Sequence, residues 1–201
     1  MRIPGACVLL LFAAVSLAGQ AQQEQKRELV KEDCRIEFHA SSTFGKTVGV
    51  FHSWEADLKM PSDNLTDASL NLEIEAASLE TGSGLKDKEA KGKNFFSVKE
   101  YPKIRFVLKS VAPEADPSKL RMDAELTLRG ITKPVTVAVI LHPQQNGHQM
   151  IDGDFSFNRR DFGMVHNVLF DKIANTIQVQ FHLDVKVAPA PVAQTQPHAD
   201  Q

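Results

Sequence analysis

Apolar and polar residues alternate with a period of two along most of residues 34–187, while the 3.6-residue period of an amphipathic helix is nearly absent. Cys34, Ile36, Phe38 and Ala40 oppose Arg35, Glu37 and His39. Val48, Val50, His52, Trp54, Ala56, Leu58 and Met60 read as one long register, ended by the turn residues Pro61-Ser62-Asp63-Asn64. The same spacing returns at Leu70, Leu72 and Ile74, at Ile104, Phe106 and Leu108, and through the second half of the chain as far as Val187. It predicts eight strands, at 34–42, 46–60, 68–77, 103–111, 119–129, 133–142, 149–159 and 175–187. Gly130-Ile131-Thr132-Lys133 reads as a tight connection, and Asn146-Gly147 as a hairpin turn.

Two stretches break the alternation. Residues 83–101 open with a lysine-rich segment suited to a short surface helix and continue into Phe95-Phe96, which suit a plug or lid over an apolar opening. Residues 160–174 form a second excursion. Eight antiparallel strands, each with one apolar face, must bury those faces, and a closed barrel does so while removing the sheet edges. The expected fold is all-β: an eight-stranded antiparallel barrel with a short helical excursion between its third and fourth strands. Its inward positions are apolar along nearly their whole length. Periodicity alone leaves open whether such an interior is filled by its own side chains or holds a small ligand.

Composition narrows the classes. The chain has 201 residues, 42% hydrophobic and 24% charged, with a net charge of -2. One globular domain fits that length, and no basic footprint for nucleic acid is present. At the start, Arg2, the apolar run Val8–Ala18 and Gly19-Gln20-Ala21 have the order of a secretory signal. The run is about eleven residues, and a membrane-spanning helix needs about 20. Cleavage after Ala21 is expected, giving a periplasmic or secreted protein without a membrane span. A polar lead-in at 22–32, a domain at 33–187 and a disordered tail rich in Pro, Ala and Gln at 188–201 complete the expected organisation. Cys7 would leave with the signal. Cys34, in phase with Ile36 and Phe38, reads as a small buried apolar residue, although pairing of its thiol between two copies in a homodimer stays open.

Several strings, in order, resemble the YceI-like family of secreted lipid-binding proteins. They are Lys46-Thr47-Val48-Gly49-Val50-Phe51, Thr81, Gly92-Lys93-Asn94-Phe95-Phe96 with Tyr101-Pro102-Lys103-Ile104-Arg105-Phe106, Leu126-Thr127-Leu128-Arg129-Gly130-Ile131-Thr132-Lys133-Pro134-Val135, and Arg160-Asp161-Phe162-Gly163. The resemblance implies a lipocalin-like eight-stranded barrel with an elongated interior pocket for an isoprenoid or similar chain. Where the family carries an Arg-Asp-x-His-Leu string this chain has Lys86-Asp87-Lys88-Glu89-Ala90. A lysine point charge thus replaces a planar arginine fork at the expected head-group position.

The expected function is the sequestering or carriage of an isoprenoid-like lipid or other lipophilic small molecule. The alternative is a filled barrel acting through its surface as an interaction or stress-response module. Expected wall residues are Phe38, Val50, Trp54, Leu72, Ile74, Phe106, Leu108, Phe155, Phe157 and Phe181, with Phe95 and Phe96 at the rim. His52 shares the assumed inward register, as a satisfied core histidine or as a polar contact for a ligand head or quinone carbonyl. No cofactor is expected beyond a bound isoprenoid or quinone-type lipid. No His-x-His pair, His-Glu-x-x-His string or Gly-x-Ser-x-Gly elbow occurs, so neither a metal site nor catalysis is expected. An enzyme acting on a lipid or quinone through His52 or Asp87 is the remotest reading.

Overall fold

The computed structural model describes residues 27–60, 65–165 and 173–188. The strands are β1 (Arg27–Leu29), β2 (Arg35–Ser42), β3 (Gly45–Phe51), β4 (Trp54–Lys59), β5 (Ser69–Glu75), β6 (Leu79–Glu80), β7 (Lys103–Pro113), β8 (Lys119–Leu128), β9 (Ile131–Leu141), β10 (His148–Asn158) and β11 (Thr176–Val187), with one helix, α1 (Gly84–Ala90). Ten strands hydrogen-bond in the order β4-β5-β7-β8-β9-β10-β11-β2-β3-β6, and β1 pairs with β11. All pairings are antiparallel, and the sheet curls into a barrel.

The strand count exceeds the eight expected by three: the short strands β1 and β6 are additional, and one expected run is broken in two. The run expected at 46–60 stops pairing at His52-Ser53 and becomes β3 and β4, which lie near opposite ends of the strand order. β3 pairs with β2 and β4 pairs with β5. One kinked run therefore joins the two sides of the curled sheet covalently, although no strand pairing links β4 to β6 among the described residues. The Ser78 carbonyl accepts from the His52 N–H at 3.4 Å, and the Ser53 carbonyl accepts from the Glu75 N–H at 2.9 Å, so one donor and one acceptor of the kink are satisfied. A two-residue interruption also reverses the side-chain phase. Gly49 and Phe51 are buried before it, and Trp54 after it.

The polar lead-in contributes structure as well, because Arg27–Leu29 extends the β2 side of β11. From there Arg27 Nη1 donates to the Met60 carbonyl at 2.9 Å. Lys31 Nζ donates to the Trp54 carbonyl at 3.2 Å and lies 5.4 Å from the centroid of the Trp54 ring. These contacts span the seam beside β4. The connection expected at Gly130–Lys133 is tighter still: Arg129 (φ 50°) and Gly130 (φ 73°) form a two-residue turn and β9 begins at Ile131. Asn146 (φ 52°) and Gly147 (φ 79°) repeat that geometry, matching the right-handed twist of the flanking strands.

Strand direction gives the barrel two distinct ends. The β2–β3 turn, the α1 excursion, the β8–β9 turn and the β10–β11 excursion emerge at one, here the excursion end. The segments joining β4 to β5, β7 to β8 and β9 to β10 emerge at the other. Inside, Gly153 stands opposite Phe181, and a Cβ at position 153 would lie 2.0 Å from the Phe181 ring. Only glycine lets that ring lie across the neighbouring strand. The leader, the Pro61–Asn64 turn, the end of the tail and the part of the second excursion containing Phe170 and Asp171 fall outside the described residues.

Candidate functional site

The barrel encloses a channel whose lining residues are all apolar and come from nearly every strand. Its cavity volume is about 120 Å³. A dry apolar cavity of ~150 Å³ suffices to admit a benzene ring.

Burial varies around the lining. Near the excursion end Phe38, Phe51, Trp54, Ile74, Ile104 and Leu128 are in the core, while Phe157 and Val179 are half-buried. Towards the opposite end Leu29, Leu58, Met60, Leu65, Ala68 and Leu141 face the same interior yet are only half-buried. In a filled barrel these side chains would touch one another and exclude water. Most of these half-buried side chains gather where β4 finishes and β5 begins.

The excursion end is stoppered. Phe96 is buried, and its ring centroid lies 5.7 Å from those of Phe38 and Phe51, the latter edge-on. Its backbone N–H donates to the Ala90 carbonyl at 2.9 Å, which fixes it beneath α1. Arg129 holds the same segment from outside, donating through Nη1 to the carbonyls of Lys93 at 3.0 Å and Phe95 at 2.7 Å. Thr81 donates to Asp87 Oδ1 through its N–H at 2.7 Å and its hydroxyl at 2.6 Å, tying the start of the excursion to α1. The Thr81 hydroxyl, more than the smaller opposing effect of desolvation, holds the Asp87 carboxyl below its ordinary range. Asp87 is therefore a structural tie.

Ten of the expected site residues line the channel: Phe38, Trp54, Leu72, Ile74, Phe96, Phe106, Leu108, Phe155, Phe157 and Phe181. Three do not. The kink at His52-Ser53 turns Val50 and His52 away from the interior, because the assumed single register is two registers of opposite phase. The His52 side chain is 58% exposed, with Nε2 3.2 Å from Glu80 Oε2. Phe95 is half-buried beside the core but outside the channel lining, since consecutive residues at the stopper cannot both point inward. Periodicity missed Phe51, which the same phase error hid. It also missed Leu29 and Leu65, which lie in short segments without a readable repeat.

Among the described residues no ionisable group lines the channel. Cys34 is half-buried just before β2, its Sγ accepting from the Asp184 N–H at 3.4 Å, and burial pushes its thiol up. Arg159, although buried, serves the loop that follows it, donating to the carbonyls of Met164, Ile173 and Ala174 at 2.6–3.1 Å. On the outer wall Asp152 sits between His182 Nδ1 and His142 Nε2, each at 2.6 Å. Desolvation raises its carboxyl, but hydrogen bonds from both histidines outweigh this and bring it below the usual range. No cluster of three or more metal-ligating side chains occurs among the described residues.

Comparison with known proteins agrees with this architecture. A UPF0312 protein of Pseudomonas fluorescens is 30% identical over 125 residues, 57% of this chain and 63% of its own length. One of Pseudomonas savastanoi pv. phaseolicola is 26% identical over 121 residues, 58% of this chain and 62% of its own. The chain thus matches somewhat under two thirds of these relatives. Among solved structures, BcnA of Burkholderia cenocepacia superposes with a TM-score of 0.70 at 26% identity, covering 78% of this chain and 99% of its own. A polyisoprenoid binding domain from Saccharophagus degradans superposes at 0.61 with 14% identity, covering 82% and 99%, a likeness of fold alone. The model of the YceI-like domain matches residues 28–185, from β1 almost to the end of β11, and the chain belongs to that family.

Proposed function

We propose that this is an exported binding protein that holds a single-chain, isoprenoid-like lipid in its channel, as a carrier or a reserve. The observation that carries the reading is the half-burial of inward apolar side chains around a wholly apolar channel. Their contact with water is relieved when a hydrocarbon chain enters, at roughly 25 cal/mol for each Å² covered. The apolar lining offers no hydrogen bond to a polar head, so the head group stays at the end beside Met60 and Leu65. The Saccharophagus degradans domain of like fold is described as polyisoprenoid binding, which supports the ligand class. The signal-like start supports export. Binding by burial requires no bond to be made, so the protein acts as a binder and not as an enzyme.

Native mass spectrometry of the purified mature protein, followed by organic extraction, tests the reading. A co-purifying long-chain species, or uptake of added farnesol or geranylgeraniol into an empty sample, is the expected result. A protein that is repeatedly empty and takes up neither alcohol overturns it.

A further inference from the structure

The excursion end carries features that the channel does not use. Phe44, in the β2–β3 turn, and Leu85, in the first turn of α1, are the most exposed large apolar side chains among the described residues, each at 78%. They lie in neighbouring projections, since Lys86 Nζ donates to Thr47 Oγ1 at 3.0 Å and so joins α1 to the start of β3. Ile131, opening β9, and Val165, after the Arg159–Phe162 turn, add exposed apolar surface at the same end.

Charge is concentrated there too. The described segments that form this end, 43–46, 81–101, 129–133 and 159–165, carry seven lysines and, besides the buried Arg159, two arginines, against four carboxylates. The whole chain is net negative, at -2. A net-negative protein with one cationic end is electrically polarised. Separate apolar tips set among lysines suit shallow insertion between lipid head groups, with the lysine stems lying along the interface and their charges reaching anionic groups. A protein partner would more readily be met by a continuous apolar patch than by isolated tips.

We propose that the excursion end docks on an anionic lipid bilayer surface, with Phe44 and Leu85 as the inserting side chains and the surrounding lysines supplying the attraction. On the proposed function, with the ligand's head group beside Met60 and Leu65, a docked barrel stands with its mouth away from the bilayer it rests on. Docking is then separable from ligand binding, and the failure of one is distinguishable from the failure of the other.

The test is co-sedimentation of the mature protein with vesicles of one-third phosphatidylglycerol in phosphatidylcholine, and with vesicles of phosphatidylcholine alone. Wild type is expected to sediment with the anionic vesicles and far less with the neutral ones. The association should weaken between 0.1 M and 1 M salt, as the screening length falls from about 10 Å to about 3 Å. A Phe44→Ser, Leu85→Ser double variant is expected to lose about tenfold or more in partition coefficient. Lys86→Glu, Lys88→Glu should lower binding to anionic vesicles alone. Ile140→Ser, Met150→Ser, which removes exposed apolar groups from the outer wall, should change nothing. Unchanged farnesol uptake and melting temperature in the Phe44/Leu85 variant show that the fold and channel are intact. No affinity for anionic vesicles, equal affinity for neutral ones, or undiminished binding by the Phe44/Leu85 variant overturns the proposal. Loss of self-association or of a protein contact in that variant, without any vesicle binding, assigns the surface to a protein instead.

Discussion

Trp54 has two loyalties. It is 8% exposed, packs within the core and receives the Lys31 ammonium over its ring, yet it also lines the channel. Trp54→Ala in the empty protein should cost about 3 kcal/mol, near the lower limit for a buried tryptophan, because one side of the ring already faces space. With farnesol bound the loss should be larger, since ligand contacts disappear too. Urea unfolding with and without farnesol checks this, and a cost below about 1 kcal/mol in both states would contradict the placement of the ring. Asp152 makes a different kind of contribution, since the histidine hydrogen bonds set its folded-state pKa below the unfolded one. The resulting stability is present at neutral pH and is lost as pH falls through the folded pKa. With the side chain 43% exposed the effect is small. Asp152→Asn should lower the melting temperature slightly at pH 7, and the two proteins should converge only once pH is well below the ordinary Asp value of about 3.9. A gap that widens in acid would show that the carboxylate is not favoured by folding.

Among the elements, the β10–β11 pair is the most sensitive to a single atom. A methyl group at Gly153 falls inside the Phe181 ring, and that ring has to leave its place over the neighbouring strand. Gly153→Ala should cost about 1–3 kcal/mol. Adding Phe181→Leu should recover part of that loss, which a double-mutant cycle by denaturant unfolding would measure. Strictly additive costs would mean that the ring and the glycine do not share space. The same scale explains what could be read from the chain in advance. Strands such as β8 and β11 announce themselves because one uninterrupted face alternates over many residues. The β3–β4 kink does not, because His52-Ser53 lacks the proline or glycine that punctuates most breaks, and Val48, Val50 and Trp54 keep an apparent spacing across it. The cause of the break is tertiary: the strand has to leave β2 and reach β5 on the other side of the curled sheet. Every residue on the wrong side of that kink was misplaced, while the wall residues on unbroken strands fell where alternation put them.

For the whole molecule, the decisive quantity is the length of chain the channel can cover. From Trp54 to Met60 the lining runs six residues along β4, about 20 Å at ~3.3 Å per residue, and less along the axis of a tilted strand. Ten buried carbons contribute about 8 kcal/mol, and the loss of free motion on association removes ~4 kcal/mol or more. Fifteen contribute about 12 kcal/mol, leaving at most ~8 kcal/mol, which corresponds to micromolar binding. Affinity should therefore climb steeply through a series of prenols of increasing length while each added unit is still being buried. It should level off once the chain meets Phe96, because further carbons have nowhere dry to go. Phe96→Ala removes the ring that closes against Phe38 and Phe51, so the levelling point should move to longer prenols, even though this variant loses about 3–5 kcal/mol of stability as a buried Phe→Ala change. Phe96→Leu, a milder change, should move it less. Titration calorimetry across the series in all three proteins reads the levelling point directly. If it is the same in all three, the channel ends somewhere other than Phe96. If affinity never depends on chain length, the chain is not lying in the barrel at all.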